Sequence, residues 1–329
     1  MRQKYPIMVI NISKERENRM SNVLISTRES FGKELASIED KDIVVLDADL
    51  CTSTKTSYFR DKHPEKFIEN GIAEADMIGT ASGLASCGKK VVISTFATFL
   101  TGRYDQIRMS IAYPKANVKL CGSHSGITAG EDGASHQIIE DINLMRGLPN
   151  MTVLAPSDDI STRALVREML KYDGPVYLRL SRFATPIIYT EDADFEIGKS
   201  SQIGEGKDGT IFSYGDVLYD ALKAQEILKD ENIDVRVIDM YSIKPIDREI
   251  VIKSANETGL LFTLEDHNII GGLGSAISEI LCEECPKKLY RIGIKDEFGV
   301  SGKADELKKK FGIDYNSVAE YIKSKFIFD

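Results

Sequence analysis

The stretch VKLCGSHSGITAGEDGASH, residues 118–136, gives the clearest indication of the type of fold. Three of its first four residues are apolar, as is typical of a short buried strand, and a loop rich in glycine and histidine follows. In open α/β sheets, ligands bind beyond the carboxyl ends of the parallel strands. The stretch therefore predicts a sheet strand that ends in a ligand-binding loop.

The same alternation of short apolar runs and longer amphipathic segments extends in both directions from this stretch. It predicts further strands at residues 43–47, 91–94, 152–154 and 176–180. Helices are predicted at residues 22–37, 71–86, 104–112 and 137–146. A second set has strands at residues 210–213, 235–239, 260–264 and 289–294. The predicted fold class is α/β, with two doubly wound domains, the first built on a mostly parallel sheet and the second smaller.

The chain of 329 residues is about twice the usual length of one domain, so two domains are expected. Residues 21–185 contain the first α/β set and residues 209–329 the second. Between them, residues 186–208 lose the periodicity and gather Pro, Asp, Glu, Gly and Lys, which predicts a linker. Residues 1–20 are expected to form an N-terminal arm.

Charge and hydropathy exclude several classes of protein. The net charge of -9 argues against a nucleic-acid partner, which would need a basic surface to bind phosphates. There is no apolar run long enough for a transmembrane helix and no apolar signal segment, so we expect a cytoplasmic protein without a membrane partner. A lone C-x-x-C at residues 282–285 lacks the second ligand pair of a zinc site. The lysine run at residues 308–310 is expected to be a solvated helix face.

Two places in the first domain carry side chains suited to chemistry. Glu74 lies early in a predicted helix of small and apolar residues, where a carboxylate is either solvated at the helix N-terminus or held against a partner. The glycine-rich loop carries His124, Asp132 and His136, which can exchange hydrogen bonds with hydroxyls and carbonyls. The alternative is a plain strand-to-helix connection in which His136 caps the helix.

Other candidates are weaker when each is taken alone. Phe96 and Phe99 follow the strand predicted at residues 91–94, and two aromatic residues at this spacing are more often core than a stacking platform. Arg28, Ser53 and Arg182 could bind a phosphate, because the planar guanidinium suits phosphate oxygens. The alternative for each of them is an ordinary surface position.

Taken in order, these segments resemble the pyrimidine-binding domain of transketolase. The resemblance rests on GIAE at residues 71–74, GEDGASHQ at 130–137, and LSR at 180–182, together with ADL at 48–50 and TFL at 98–100. It extends over residues 20–185, and the second α/β set is similar to the family's C-terminal domain. The combination of motifs is specific, whereas each motif alone is weak.

The resemblance implies thiamine diphosphate as the cofactor. In the family, the residue that matches Glu74 hydrogen-bonds the aminopyrimidine ring, and burial suits a carboxylate to this task. Phe99 would pack on the ring, with Phe96 nearby as a weaker candidate, and Asp49 would line the cofactor site. The implied reaction transfers a two-carbon ketol unit between a ketose phosphate and an aldose.

The resemblance also implies a substrate site whose side chains contact the sugar hydroxyls and hold the sugar phosphate. It comprises Arg28, Ser53, His124, Asp132, His136 and Arg182. The catalytic residues would be Glu74 together with His124 and His136, whose imidazoles can assist proton transfer.

The sequence also departs from the family pattern. Ala73 stands where an arginine often precedes the glutamate, and Gly102 replaces a second aromatic residue. The diphosphate site is missing, because neither the Gly-Asp-Gly motif nor an Asn-Asn pair occurs in the chain. We therefore predict no metal ligands here and a split enzyme, in which a second polypeptide holds the diphosphate and most of the Mg²⁺ coordination. The expected assembly is a heterotetramer of two such chains and two partners.

Three alternatives remain open on the residues alone. The chain could belong to a transketolase-like enzyme that makes a specialised sugar. It could be a subunit similar to 1-deoxyxylulose-5-phosphate synthase or to the β subunit of a 2-oxo acid dehydrogenase, which share the domain pair. A non-catalytic scaffold is the third alternative, although all the candidate side chains are still present.

Overall fold

The computed structural model describes residues 23–328. The N-terminal arm predicted at residues 1–20 lies outside the described residues. The strands are β1 (Leu24–Ser26), β2 (Ile43–Asp47), β3 (Phe67–Glu69), β4 (Lys90–Phe96), β5 (Val118–Ser123), β6 (Thr152–Leu154), β7 (Val176–Arg179) and β8 (Ala184–Pro186). They continue with β9 (Ser201–Ile203), β10 (Gly209–Ser213), β11 (Val235–Asp239), β12 (Ser242–Lys244), β13 (Leu260–Asn268) and β14 (Leu289–Ile294).

The helices alternate with these strands. They are α1 (Thr27–Ser37), α2 (Cys51–Thr54), α3 (Ser57–Lys62), α4 (Glu74–Ser86), α5 (Ala97–Thr101), α6 (Tyr104–Gln106) and α7 (Asp141–Gly147). Further along the chain are α8 (Asp159–Lys171), α9 (Leu218–Asp230), α10 (Arg248–Glu257), α11 (Leu273–Glu284), α12 (Ala304–Phe311) and α13 (Tyr315–Phe328). Short 3₁₀ turns lie at Pro64–Lys66, Gly130–Asp132 and Gly215–Val217.

Two larger sheets organise the fold. The first has the order β12-β6-β7-β5-β4-β2-β3, and its strands are parallel except for β12, which runs antiparallel to β6. The second has the order β14-β13-β10-β11-β9, with β9 antiparallel to β11. Because β12 follows β11 in the chain, the second domain contributes a strand to the sheet of the first.

Helices cover both faces of each sheet. In β2, Val45 packs in one apolar cluster with Phe31 of α1, whereas its neighbour Leu46 packs in the other cluster with Met77 of α4. Successive strand residues point to opposite faces, so both faces of the sheet bury apolar side chains. In the second sheet, α9 and α13 belong to one cluster and α10 and α11 to the other. The predicted α/β class with doubly wound sheets is confirmed.

The helix predicted at residues 137–146 is wrong at its start, because α7 begins only at Asp141. The backbone N–H of Ile138 donates to the carbonyl of Gly126 (3.1 Å), and the side chain of Gln137 donates to the carbonyl of Gly130 (3.1 Å). Residues 137–140 are therefore tied to the preceding loop, and these long-range bonds override the helical pattern.

Other differences are local. The helix predicted at residues 22–37 follows the short strand β1, and its residue 22 lies outside the described part of the chain. The segment at residues 104–112 is split into α6 and a π-helical turn, Ile107–Ala112. Strand β9 lies inside the predicted linker, because its residues pair with β11.

The prediction that residues 308–310 form a solvated face is wrong for Lys308. Its ammonium is largely buried and lies 2.7 Å from a carboxylate oxygen of Asp220 and 3.4 Å from one of Asp216. Lys309 and Lys310 are exposed as expected. The sequence does not distinguish the three lysines, because the aspartates that pair with Lys308 belong to a distant segment of the chain.

Candidate active site

The predicted site residues lie at the carboxyl edge of the first sheet. Phe96 and Ser123 are the last residues of β4 and β5 and are register partners. Arg179, the last residue of β7, pairs with Gly122 of β5, and Arg182 follows three residues later. Adjacent parallel strands end at the same edge, so segments far apart in sequence meet there.

His124 occupies the centre of this edge. It has a left-handed backbone conformation (φ 57°) and is 2% exposed. Nη1 of Arg28 donates to its Nε2 (3.0 Å), so the ring proton is on Nδ1, which donates to Oγ of Ser123 (2.9 Å). Burial and the charges of Arg28 and Arg182 lower the pKa of His124 to about 3. The imidazole is therefore neutral near pH 7.

Arg28 connects this histidine to the β2–α3 region. The same Nη1 donates to the carbonyl oxygen of Ser53 (2.8 Å). Nε of Arg28 is buried and has no hydrogen-bond acceptor among residues 23–328. Burial, and next the charge of Arg182, lower the pKa of the Arg28 guanidinium. A cation with a free donor beside a second cation is suited to bind an anion.

Aromatic rings form one wall of the site. The ring of Phe96 stacks on His124 with centroids 3.7 Å apart, and it lies nearly parallel to Phe99 at 5.6 Å. Phe99 meets the ring of His136 edge-on at 5.4 Å. Phe96 is 7% exposed, as expected for a core residue, whereas Phe99 is half-buried. Both rings nevertheless contact the loop histidines.

Asp132 and Arg182 close the other side of the loop. Nη1 of Arg182 donates to a carboxylate oxygen of Asp132 (3.1 Å) and to the carbonyl of Ala129 (2.8 Å). Both side chains are exposed to solvent over more than a third of their surface. This pair is accessible and can therefore rearrange when a ligand binds.

Glu74 lies apart from that cluster. It is the first residue of α4 and is 7% exposed. Its nearest charge is Nη2 of Arg103, 3.8 Å from Oε2. Arg103 was not predicted from the motifs, although it is the first charged residue after Phe99 and the turn of α5 carries both to the same edge.

The structure does not bring Asp49 into the cluster. This residue is exposed, with a left-handed backbone (φ 61°), and its N–H donates to Oε1 of Glu69 (2.7 Å). Its carboxylate makes no hydrogen bond or ion pair within the described part of the chain. Direct contacts join Ser53, Arg28, His124, Phe96, Phe99 and His136. Arg182 and Asp132 form an ion pair of their own, and Glu74 pairs with Arg103.

Comparison with known families identifies both halves of the fold. A model of the transketolase pyrimidine-binding domain matches residues 24–187, and a model of the transketolase C-terminal domain matches residues 198–318. The chain belongs to the transketolase family. The resemblance inferred from GIAE, GEDGASHQ and LSR is thereby confirmed, and the family implies thiamine diphosphate as cofactor.

Transketolase relatives match along nearly the whole chain. A putative transketolase C-terminal section of Methanocaldococcus jannaschii is 48% identical over 310 residues, 92% of this chain and 97% of the relative. A 6-deoxy-6-sulfo-D-fructose transketolase subunit of a Clostridium species is 43% identical over 276 residues, 84% of this chain and 86% of the relative. A solved structure described as a split-gene transketolase, an inactive β4 tetramer, has a TM-score of 0.83 at 44% identity, covering 91% of this chain and 97% of that one.

Two further features bear on what this transketolase chain can hold. Among residues 23–328, no group of three or more His, Cys, Asp or Glu side chains is arranged to bind a metal ion. None of the helices in the same range is long and apolar enough to span a bilayer.

Proposed function

We propose that this chain is one subunit of a split, thiamine-diphosphate-dependent transketolase that transfers a two-carbon ketol unit from a ketose phosphate to an aldose. The observation that carries the proposal is the contact of Arg28 with His124, and of His124 with Phe96, at the sheet edge beside Glu74. This arrangement brings an anion-binding cation, a neutral imidazole and an aromatic ring into contact with one another.

The residues at this edge fit the aminopyrimidine end of the cofactor. Glu74 offers a largely buried carboxylate that can hydrogen-bond a ring nitrogen, and the half-buried ring of Phe99 can pack on the pyrimidine. When bound, the cofactor supplies a carbon centre that accepts the electron pair released by carbon–carbon cleavage. Arg103 would balance the charge of Glu74 while no ring is bound.

The remaining side chains fit a sugar phosphate. Arg28 and Arg182 would bind the phosphate, and the free Nε donor of Arg28 has no other acceptor in the described residues. The neutral imidazole of His124 can accept a hydrogen bond from a substrate hydroxyl at Nε2 if Arg28 turns to the phosphate. His136, held at Nδ1 by Ser135 Oγ (2.9 Å), leaves Nε2 for a second hydroxyl or a proton transfer.

We further propose that a partner chain holds the diphosphate and Mg²⁺. Support comes from the sequence, which lacks Gly-Asp-Gly and Asn-Asn, and from the described residues, which contain no metal-binding cluster. The names of the relatives point the same way, since one is a C-terminal section and another a split-gene chain whose β4 tetramer is inactive. A heterotetramer of two chains of each type would complete two sites.

A second candidate is a transketolase for a specialised sugar. It is favoured by the 43% identity to a subunit that acts on a sulfonated ketose. A terminal sulfonate and a terminal phosphate are both anions that Arg28 and Arg182 could bind. The two candidates differ in the substrate and share the site.

The test is reconstitution of this chain with a chain that carries Gly-Asp-Gly and Asn-Asn, in the presence of thiamine diphosphate and Mg²⁺. We expect ketol transfer from xylulose 5-phosphate to ribose 5-phosphate by the pair and none by either chain alone. Transfer from 6-deoxy-6-sulfofructose instead would favour the specialised candidate, and turnover of pyruvate with glyceraldehyde 3-phosphate would contradict both.

A matched pair of variants tests the role of the carboxylate. Glu74→Gln should remove most of the turnover while leaving assembly intact, because an amide cannot replace the buried acid at the ring. Asp76→Asn, two residues later on the same helix and exposed, should leave turnover unchanged. Equal losses in the two variants would contradict the proposed role of Glu74.

A further inference from the structure

A carboxylate of the second domain reaches the substrate loop of the first. Asp266 lies near the end of β13 and is 1% exposed. The backbone N–H of Ile127 donates to both of its carboxylate oxygens (3.1 and 3.2 Å). Ile127 lies three residues after His124 in the loop that also carries Asp132 and His136.

Gly126 shows that this approach is built into the loop. It has φ +61°, and a Cβ atom at this position would lie 1.8 Å from a carboxylate oxygen of Asp266. Only glycine permits both the left-handed backbone and so close a contact. The residue type at position 126 therefore matches the presence of Asp266 in the neighbouring domain.

Asp266 also contacts the other segment of the site. Its carbonyl oxygen accepts a hydrogen bond from Nη2 of Arg179 (2.7 Å), the last residue of β7. Nε of Arg179 donates to a carboxylate oxygen of Asp141 (2.9 Å), and both side chains are buried. One residue of the second domain is thus bonded to the loop and to the strand that leads to Arg182.

The far end of the loop is held by the same domain. The side-chain amide of Gln137 donates to the carbonyl of Val300 (3.0 Å) and to that of Gly130 (3.1 Å). At Gly133, a Cβ atom would lie 2.5 Å from Oγ of Ser301. The loop is therefore fixed at both ends by contacts from the second domain.

We propose that Asp266 is a positioning residue, which holds the loop so that His124, Asp132 and His136 meet the sugar phosphate. The inference rests on the proposed function, since it assigns to the second domain a part in forming the substrate site. We expect its carboxylate to act through the Ile127 amide and not on the substrate itself, while its backbone carbonyl holds Arg179.

The surroundings of Asp266 guide the choice of substitutions. Burial and the nearby Asp216 raise the pKa of Asp266 to about 7, whereas Arg179, the Ile127 N–H and Lys308 act in the opposite direction. Because burial disfavours the charged form, a neutral side chain of the same shape is the conservative substitution at this position. Asp266→Asn keeps an acceptor for the Ile127 N–H, and Asp266→Leu removes it.

The experiment measures amide hydrogen exchange of residues 122–137 in the full chain alone. The control is Asp239→Leu, which removes a buried carboxylate from the end of β11 in the same sheet, where it accepts from Ser157 and Tyr189 (3.0 and 2.7 Å). We expect loop exchange to accelerate about tenfold in Asp266→Leu, the factor for one lost hydrogen bond. Exchange in Asp266→Asn should stay within about threefold of the parent chain.

The functional half is measured in the reconstituted pair. Asp266→Leu should raise the KM for the ketose phosphate about tenfold, because the side chains of the loop then meet the sugar phosphate less well. We expect kcat to fall less than KM rises, because Glu74 lies outside the loop. If Asp266→Leu does not fold, Gln137→Leu cuts the contact at the other end and should accelerate exchange in the same peptides.

Loop exchange no faster than in the Asp239 control would overturn the inference, as would a normal KM in a variant whose loop exchanges fast. A loss of kcat at unchanged KM would also overturn it, since Asp266 would then act on the chemical step. The exchange result does not depend on turnover, so an inactive parent pair would count against the proposed function and leave that result standing.

Discussion

Replacing Arg28 with methionine tests the anion-binding half of the site. The change keeps most of the apolar stem and removes the guanidinium that bridges the Ser53 carbonyl and the imidazole of His124. The expected loss is therefore in binding of the phosphate.

The magnitude follows from the type of bond that is lost. A hydrogen bond from a charged donor contributes about 2 kcal/mol, and the free Nε of Arg28 offers one such bond to a phosphate oxygen. This energy corresponds to about a 30-fold rise in KM for a phosphorylated ketose. The KM for the same ketose without phosphate should change by less than about twofold.

Steady-state kinetics of the reconstituted pair with both ketoses provide the assay, and the Tm of each variant is measured alongside. Arg167→Met serves as the control, because Arg167 pairs with Glu34 (2.7 Å) on the surface away from the site. Equal losses for the two ketoses would show that Arg28 serves the structure of the site and does not bind the phosphate.

Three further predictions concern charge and packing. In ¹⁵N NMR spectra, His124 should remain neutral with its proton on Nδ1 down to about pH 5, and a titration midpoint between pH 6 and 7 would contradict this. The free energy of unfolding should fall as the pH drops below about 6.5, because the unfolded chain then takes up a proton at His124 that the folded chain does not. Gly32→Ala should lower the free energy of unfolding by about 1–3 kcal/mol, because its Cβ would lie 2.3 Å from a backbone carbonyl oxygen. Gly79→Ala, on an open face of α4, should raise it by about 0.5–1 kcal/mol, and equal effects of the two variants in denaturant melts would contradict this packing. Lys308→Met should lower it by about 3–5 kcal/mol, because two buried aspartates lose their cation, and a similar result for exposed Lys309→Met would argue against that cause.

Local patterns predicted much of the fold. The strands predicted at residues 235–239 and 289–294 match β11 and β14, because both segments are short and rich in the β-branched residues that favour strands. The segment 137–146 also has helical periodicity, yet its first four residues follow the loop. Bonds from Ile138 to Gly126 and from Gln137 to Gly130 decide that difference, and neither is visible in a helical pattern.

The site was partly predictable for a similar reason. His124, His136 and Asp132 lie within one short loop that carries a family motif, so a single stretch of sequence reveals them. Asp266 is 139 positions away from Ile127, the residue it holds, and only the folded chain shows the contact. The clue in the sequence is that Asp266 follows a predicted strand, as site residues do in such sheets. The catalytic and binding roles of all these residues stay predictions.

A crystal structure of the reconstituted pair with thiamine diphosphate and Mg²⁺ tests whether Glu74 binds the pyrimidine ring and whether two chains share the cofactor site. We expect the carboxylate of Glu74 within about 2.6–3.2 Å of a pyrimidine nitrogen, with the diphosphate and the ion held by the partner chain. A pyrimidine ring far from Glu74 would contradict the role proposed for this carboxylate. A complete diphosphate and magnesium site within this chain would contradict the split enzyme.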